Sequence, residues 1–325
     1  LADGSDRLVL ANGTNTLTVS GTETITGNSG ADTIELGDAM VNGVVNLGAG
    51  SDTLTLLASD TTGQSVTATG VETLTAGSGA DTITMGAAIT GGNYNLGDGA
   101  DTITLAGATN TITLSNAESV SGGTGADTVT FGAAITGATM SLGNGADSLT
   151  LAAGGNTVTV TGTESITGGA GDDLLTLSSA SSGVTIDLAG GTGDTVTMAA
   201  GGNSLNISGA ESITGGADAD AITLGAAQAG GTIDLAAGTD NLTLANGVNT
   251  LTVLGTETIA GNSGVDAITL GSAIAAGSIN LGAGADELTL FDTATNSLTA
   301  TGVESILGGS GADTVTLGAA ITGAA

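Results

Sequence analysis

Thirteen aspartates recur at a spacing that could hold metal ions. Seven of them, Asp32, Asp81, Asp127, Asp173, Asp220, Asp266 and Asp313, follow one another at intervals of 46 to 49 residues. Six more, Asp52, Asp101, Asp147, Asp194, Asp240 and Asp286, stand about 20 residues later, with Asp6 as a leading member. A third series, nine residues ahead of the first, is all glutamate: Glu23, Glu72, Glu118, Glu164, Glu211, Glu257 and Glu304. Most of the aspartates follow a glycine-rich turn and precede a β-branched run, as in GGTGADTVTF at 122–131. Glycines let a turn adopt left-handed angles and aim its carbonyls at one point. Those carbonyls and a carboxylate are the hard oxygens that Ca²⁺ takes six to eight at a time, whereas Mg²⁺ demands a near-ideal octahedron. In the competing reading each aspartate caps its own turn. That accounts for one aspartate well, but not for pairs stacked a coil apart.

The overall charge sharpens the argument. The chain has 325 residues, with 32 acidic side chains against one basic side chain, Arg7, for a formal net charge of −31. Repulsion on this scale destabilises a compact state unless ions neutralise it. High net charge also marks disordered chains, but 40% of the residues here are hydrophobic, which points to a folded chain whose missing positive charge comes from solution. The absence of Cys and His removes disulfides, thiolate sites, an imidazole base and the usual zinc ligands. With one Arg and no Lys, nucleic-acid binding is not expected. Apolar runs of one to four residues give no transmembrane segment, which would need about 20. Nothing at Leu1 reads as a signal peptide.

The elements that must position these acids are strands. In DTITM, Ile83 and Met85 alternate with Thr82 and Thr84, the period of a half-buried strand. The same pattern predicts strands at 93–96, 102–105, 111–114, 119–121 and 128–131, with Gly, Asn, Asp and Ser in the turns between them. One repeat thus holds five short strands. With two strands per coil, the 92 residues from Asp81 to Asp173 make five coils of about 18.4 residues. The odd strand number places the Asp turns of successive repeats on opposite edges, with Asp81, Asp101 and Glu118 stacked on one edge and Asp127, Asp147 and Glu164 on the other. The expected fold is all-β: an elongated right-handed parallel β-roll solenoid, about 18 residues and two short strands per coil. The alternative is a three-sided β-helix. Residues 1–325 read as a single repetitive domain of about seven 46–49-residue repeats, expected to be a fragment of a longer chain.

At these residues the chain resembles the repeats-in-toxin, or haemolysin-type calcium-binding, repeat family. GGTGADTVT (122–130), GGAGDDLLT (168–176) and GGSGADTVT (308–316) match its G-G-x-G-x-D-x-U-x nonapeptide throughout. GGADADAIT (215–223) has Asp218 in place of a glycine, GNSGADTIE (27–35) and GNSGVDAIT (261–269) carry Asn at the second position, and AGSGADTIT (76–84) lacks the first glycine. The second series is looser. The resemblance implies Ca²⁺ bound at the aspartates of both series. Only two of every five turns carry the motif aspartate, so isolated sites are expected rather than continuous ladders of ions. For the glutamates two readings stay open, an outer oxygen on a second ion or a solvated acid at the lip of a turn, the latter favoured. Asn12, Asn15, Asn110 and Asn156 read as turn residues or ladder formers. Phe131 reads as core and Phe291 as partly exposed.

The implied function is a calcium-stabilised extracellular scaffold, as in a bacterial surface layer, filament or adhesin stalk. The alternative is the secretion or folding module of a calcium-dependent exported enzyme or toxin. The expected partners are calcium ions and further copies of the chain, end to end or side by side, at a bacterial cell surface or in the extracellular matrix. Catalysis is not expected: glycosidases use paired carboxylates, but here the acids repeat identically with no unique constellation beside them.

Overall fold

The computed structural model describes residues 4–319. The chain divides into two compact units, Leu1–Ser165 and Ile166–Ala325. Each is a right-handed parallel β-solenoid with two strands per coil, and there is no helix among the described residues. None of the described residues forms a helix long and apolar enough to cross a membrane. The two-sheet form is therefore the observed one, and the three-sided alternative is not.

In the first unit, strands alternate between two sheets along the chain. One sheet contains Ser65–Thr69, Thr82–Met85, Thr102–Thr104, Ser119–Gly123 and Thr136–Gly143, each hydrogen-bonded in parallel to the next. The other contains Thr73–Thr75, Thr90–Asn95, Thr111–Ser115, Thr128–Phe131 and Ser148–Thr150. Ile83 pairs with Ile103, Ile103 with Val120, and Val120 with Met140. The same apolar position thus recurs one coil on, after steps of 17 or 20 residues. These side chains are at most 1% exposed. The outward threonines between them suit the pleated surface by shape, since their branched Cβ leaves χ1 stiff. The second unit repeats the arrangement, for example in the sheet of Leu174–Leu177, Thr195–Thr197, Ser212–Thr214 and Ala229–Asp234.

The stack has a recurring break. The Thr90–Asn95 strand pairs with Thr111–Ser115 through a register shift between Thr90 and Gly92, where Gly91 takes φ +74°. Thr136–Gly143 shifts in the same way between Thr136 and Ala138, beside Gly137 at φ +75°. Such bulges insert residues into one strand of a pair. The buried Ile89 and Ile135 lead into these two strands. Tyr94 lies in the first of them, wholly buried, and its hydroxyl donates to the Val71 carbonyl at 2.7 Å. Phe131 is buried and Phe291 half-buried, as the sequence indicates.

Candidate metal centre

The turns that lead into the strands carry the acids. Asp32 and Asp52 precede strands of one sheet of the first unit, Asp81 and Asp101 precede strands of the other, and Asp127 and Asp147 return to the first. The alternation of edges follows from the five strands per repeat. In the second unit Asp173 and Asp194 share one edge, Asp220 and Asp240 the other, and Asp266 and Asp286 the first again. All twelve are at most 1% exposed. Asp313 is half-buried.

Each edge is a directional ladder of hydrogen bonds between backbone and carboxylate. The Asp81 N–H donates to Asp101 Oδ1 at 2.7 Å, and the Asp101 N–H to Glu118 Oε2 at 2.7 Å, one coil further on. Asp32, Asp52 and Glu72 repeat this at 2.7 and 2.8 Å, and so do Asp127, Asp147 and Glu164. In the second unit the runs are Asp173–Asp194–Glu211, Asp220–Asp240–Glu257 and Asp266–Asp286–Glu304, at 2.7 to 2.9 Å. The stacking of paired aspartates with a glutamate beyond them is as the spacing predicts. The glutamates do not stand free at the lip of a turn, because each accepts the N–H of an aspartate one coil below. Nor do the Oδ1 atoms cap their own turns, since they accept from the neighbouring coil.

The second carboxylate oxygen has a different fate. In the six second-series aspartates from Asp52 to Asp286, Oδ2 is buried without a hydrogen-bond partner, as it is in Asp32, Asp127 and Asp266. In Asp81, Asp173 and Asp220 it accepts an N–H from its own turn at 3.1 to 3.2 Å. A buried, unpaired carboxylate oxygen is costly. Burial pushes the pKa of Asp101 up to about 6, assisted by the charges of Asp81, Glu118 and Asp98 and opposed by the Asp81 N–H. Asp52, Asp147, Asp194, Asp240 and Asp286 are raised in the same way, burial first and neighbouring carboxylates after it. Asp313 departs from them: hydrogen bonds from the Asn296 side chain and backbone hold its pKa down.

The glycines form the rest of the cradle. A Cβ on Gly99 would lie 2.5 Å from the Gly79 carbonyl oxygen and 2.9 Å from Asp101 Oδ1. On Gly145 it would lie 2.2 Å from the Gly125 carbonyl oxygen and 2.8 Å from Asp147 Oδ1. The carbonyls of one turn therefore converge with the carboxylate of the next at a point that only glycine leaves open. Among the described residues no three carboxylates gather as a metal cluster. The donor set of one rung is instead two acids and turn carbonyls. These oxygen donors, with their unpaired buried carboxylate oxygens, fit a hard divalent cation.

The part of the site least legible in the sequence is the neutral head of each ladder. Asn110 donates its backbone N–H and its Nδ2 to Asp127 Oδ1, at 2.9 and 2.8 Å. Asn15 does the same to Asp32, Asn203 to Asp220, Asn249 to Asp266 and Asn296 to Asp313. Gln64 takes this place before Asp81, donating its backbone N–H to Asp81 Oδ1 at 2.6 Å. The signal in the sequence is a polar amide 17 residues ahead of each first-series aspartate, of which the turn pattern picks out only Asn15, Asn110 and Asn156.

The model of the RTX calcium-binding nonapeptide repeat matches the chain in four copies, at residues 17–39, 67–84, 159–179 and 299–320. These copies contain Asp32, Asp81, Asp173 and Asp313, all of the first series. No curated protein and no solved structure matches the chain. Four stretches of the chain are thus RTX calcium-binding nonapeptide repeats, carried on a two-sheet parallel solenoid.

Proposed function

We propose that the chain is a calcium-stabilised structural scaffold that works outside the cell, as part of a bacterial surface layer, filament or adhesin stalk. One observation carries the calcium dependence: six second-series aspartates are each fully buried with one oxygen unpaired, in a chain with a single basic side chain. The ions would be held by Asp32 with Asp52, Asp81 with Asp101, Asp127 with Asp147, Asp173 with Asp194, Asp220 with Asp240 and Asp266 with Asp286, together with carbonyls of their turns. Bound calcium supplies the positive charge that the chain lacks, so its binding energy becomes folding energy. Extracellular calcium modules bind at about 10⁻⁴ to 10⁻³ M, which suits folding where calcium is abundant.

The scaffold reading is supported by the uniformity of the repeat. The acids recur without a unique constellation, which also favours a structural over a catalytic role. The unbroken 46- and 47-residue beat from Asp81 to Asp313 supports one repetitive module that assembles with further copies. Repeat proteins of this kind are typically secreted or surface-associated, and this also suits the second reading, an export module of a calcium-dependent enzyme or toxin. Circular dichroism and thermal melting during chelation and calcium titration test the calcium dependence. Loss of the β-sheet signal in chelator and its return with calcium are expected. A spectrum and melting temperature unmoved by exhaustive chelation would refute it. Sizing the purified protein in calcium tests assembly: a strictly monodisperse monomer would count against the filament and stalk.

A further inference from the structure

Each ladder opens on a neutral amide, and the surroundings of that amide show what the centre of a rung accepts. Asn110 is 1% exposed. Its Oδ1 accepts the Ile89 N–H at 3.1 Å, which sets the orientation of the amide. Its Nδ2 then faces three oxygens: the carbonyls of Ala106 and Ala108 in its own turn, at 2.9 and 2.5 Å, and Asp127 Oδ1 on the next coil at 2.8 Å. Asn203 is held in the same way, by Ala199 and Gly201 at 3.1 and 2.8 Å and by Asp220 Oδ1 at 2.9 Å. Two turn carbonyls, four and two residues back, and one carboxylate from the coil beyond thus surround a single nitrogen whose hydrogens carry partial positive charge.

One coil on, the amide is replaced by an acid. Asp127 stands where Asn110 stood. The carbonyls four and two residues back are now those of Gly123 and Gly125, and the carboxylate beyond is Asp147, whose Oδ1 accepts the Asp127 N–H. In the amide's place is Asp127 Oδ2, an acceptor that is buried without a partner. The Gly123 carbonyl accepts the Asn144 N–H at 3.0 Å instead of a side-chain amide from its own turn, and no donor stands beside Asp127 Oδ2.

We propose that the asparagine that heads a ladder is a covalently attached substitute for a bound cation. Its amide fills the first cation position, and the asparagine-to-aspartate change one coil on marks where divalent ions begin. The asparagines thereby set how many ions a ladder takes and supply a metal-independent seed from which the next rung is built. This rests on the calcium reading of the rungs above. Replacing the amide by a carboxylate removes two N–H donors and leaves four oxygens facing one another, an arrangement that needs a cation to be stable. The converse replacement at Asp127 would remove a buried, unpaired carboxylate oxygen that otherwise needs an ion.

Reciprocal substitutions on the full chain test this, with calcium chloride as the only titrant and isothermal calorimetry or equilibrium dialysis as the readout. Asn110→Asp is expected to add one calcium per molecule, lower the melting temperature in chelator and restore it in calcium. Asp127→Asn is expected to remove one calcium and raise the melting temperature in chelator. Asn203→Asp repeats the gain in the second unit. A wild-type chain that binds calcium while Asn110→Asp and Asn203→Asp leave the count unchanged would overturn the proposal and leave the calcium reading intact. A wild-type chain that binds no calcium would overturn both. Should the aspartate variants fail to fold in calcium, the melt of Asp127→Asn in chelator decides: a raised melting temperature supports the proposal, and an unchanged or lowered one overturns it.

Discussion

The backbone N–H of Asp81 donates to Oδ1 of Asp101, 20 residues later and one coil away, at 2.7 Å. One oxygen of Asp101 therefore belongs to the fold, and the other, buried and unpaired, is left for a ligand. A buried N–H must find an acceptor, and the carboxylate supplies one where the strands have not yet begun to pair. The same side chain thus sets the spacing of the coils and presents a charge that the protein alone does not neutralise.

This arrangement fixes the sign of the pH dependence. Asp52, Asp101, Asp147, Asp194, Asp240 and Asp286 all have raised pKa values in the fold, Asp101 to about 6 from 3.8. The folded chain binds these protons more tightly than the unfolded chain does, so their contribution to stability is complete below the unfolded value and is lost as pH rises through the folded one. In chelator, the melting temperature is expected to fall between about pH 4 and pH 6. Added calcium should become more stabilising over the same window as the ligands ionise. A melting temperature in chelator that climbed from pH 4 to pH 7 would contradict the assignment.

Asp101 separates the two roles of the carboxylate. Asp101→Asn keeps an acceptor for the Asp81 N–H and removes a charge that Asp81, Glu118 and Asp98 repel. It should raise the melting temperature in chelator and reduce the gain on adding calcium. Asp101→Ala removes the acceptor as well, and the orphaned Asp81 N–H should cost about 1–3 kcal/mol. Paired calcium and chelator melts of the two variants make the comparison.

Two left-handed glycines should respond differently to the same substitution. Gly91 has φ +74°, and a Cβ there would meet nothing within 4 Å, so Gly91→Ala should cost only the backbone term, about 1–2 kcal/mol. Gly97 has φ +90°, and a Cβ there would lie 1.8 Å from the Gly77 carbonyl oxygen of the coil below. Gly97→Ala should cost more than about 3 kcal/mol and weaken calcium binding, since the turn carbonyl must move. Denaturation in calcium ranks the two, and equal costs would show that stacked carbonyls do not constrain the turn.

In the core, Ile103→Ala removes a fully buried side chain that stacks between Ile83 and Val120. A loss of about 2–5 kcal/mol is expected. Thr104→Ala, on the outward face of the same strand, should stay within about 0.5 kcal/mol. Equilibrium denaturation in saturating calcium measures both.

The sequence by itself determined the repeat, the coil length, the inward apolar positions and the stacking of Asp81, Asp101 and Glu118. These follow from periodicity, because a period of two assigns faces and an odd number of strands per repeat exchanges edges. Only the tertiary structure decided what each polar atom does there. Whether Glu118 stands in solvent or accepts the Asp101 N–H depends on the height of one turn above another, which no one-dimensional pattern records. The bulge at Gly91, which sets Ile89 ahead of Asn110 on that edge, likewise depends on how the extra residues are taken up between two registers. The head asparagine was legible as a turn residue, since Asn is common in turns. Its part in the ladder became visible only once Ala106, Ala108 and Asp127, distant or unremarkable in sequence, were brought around one nitrogen.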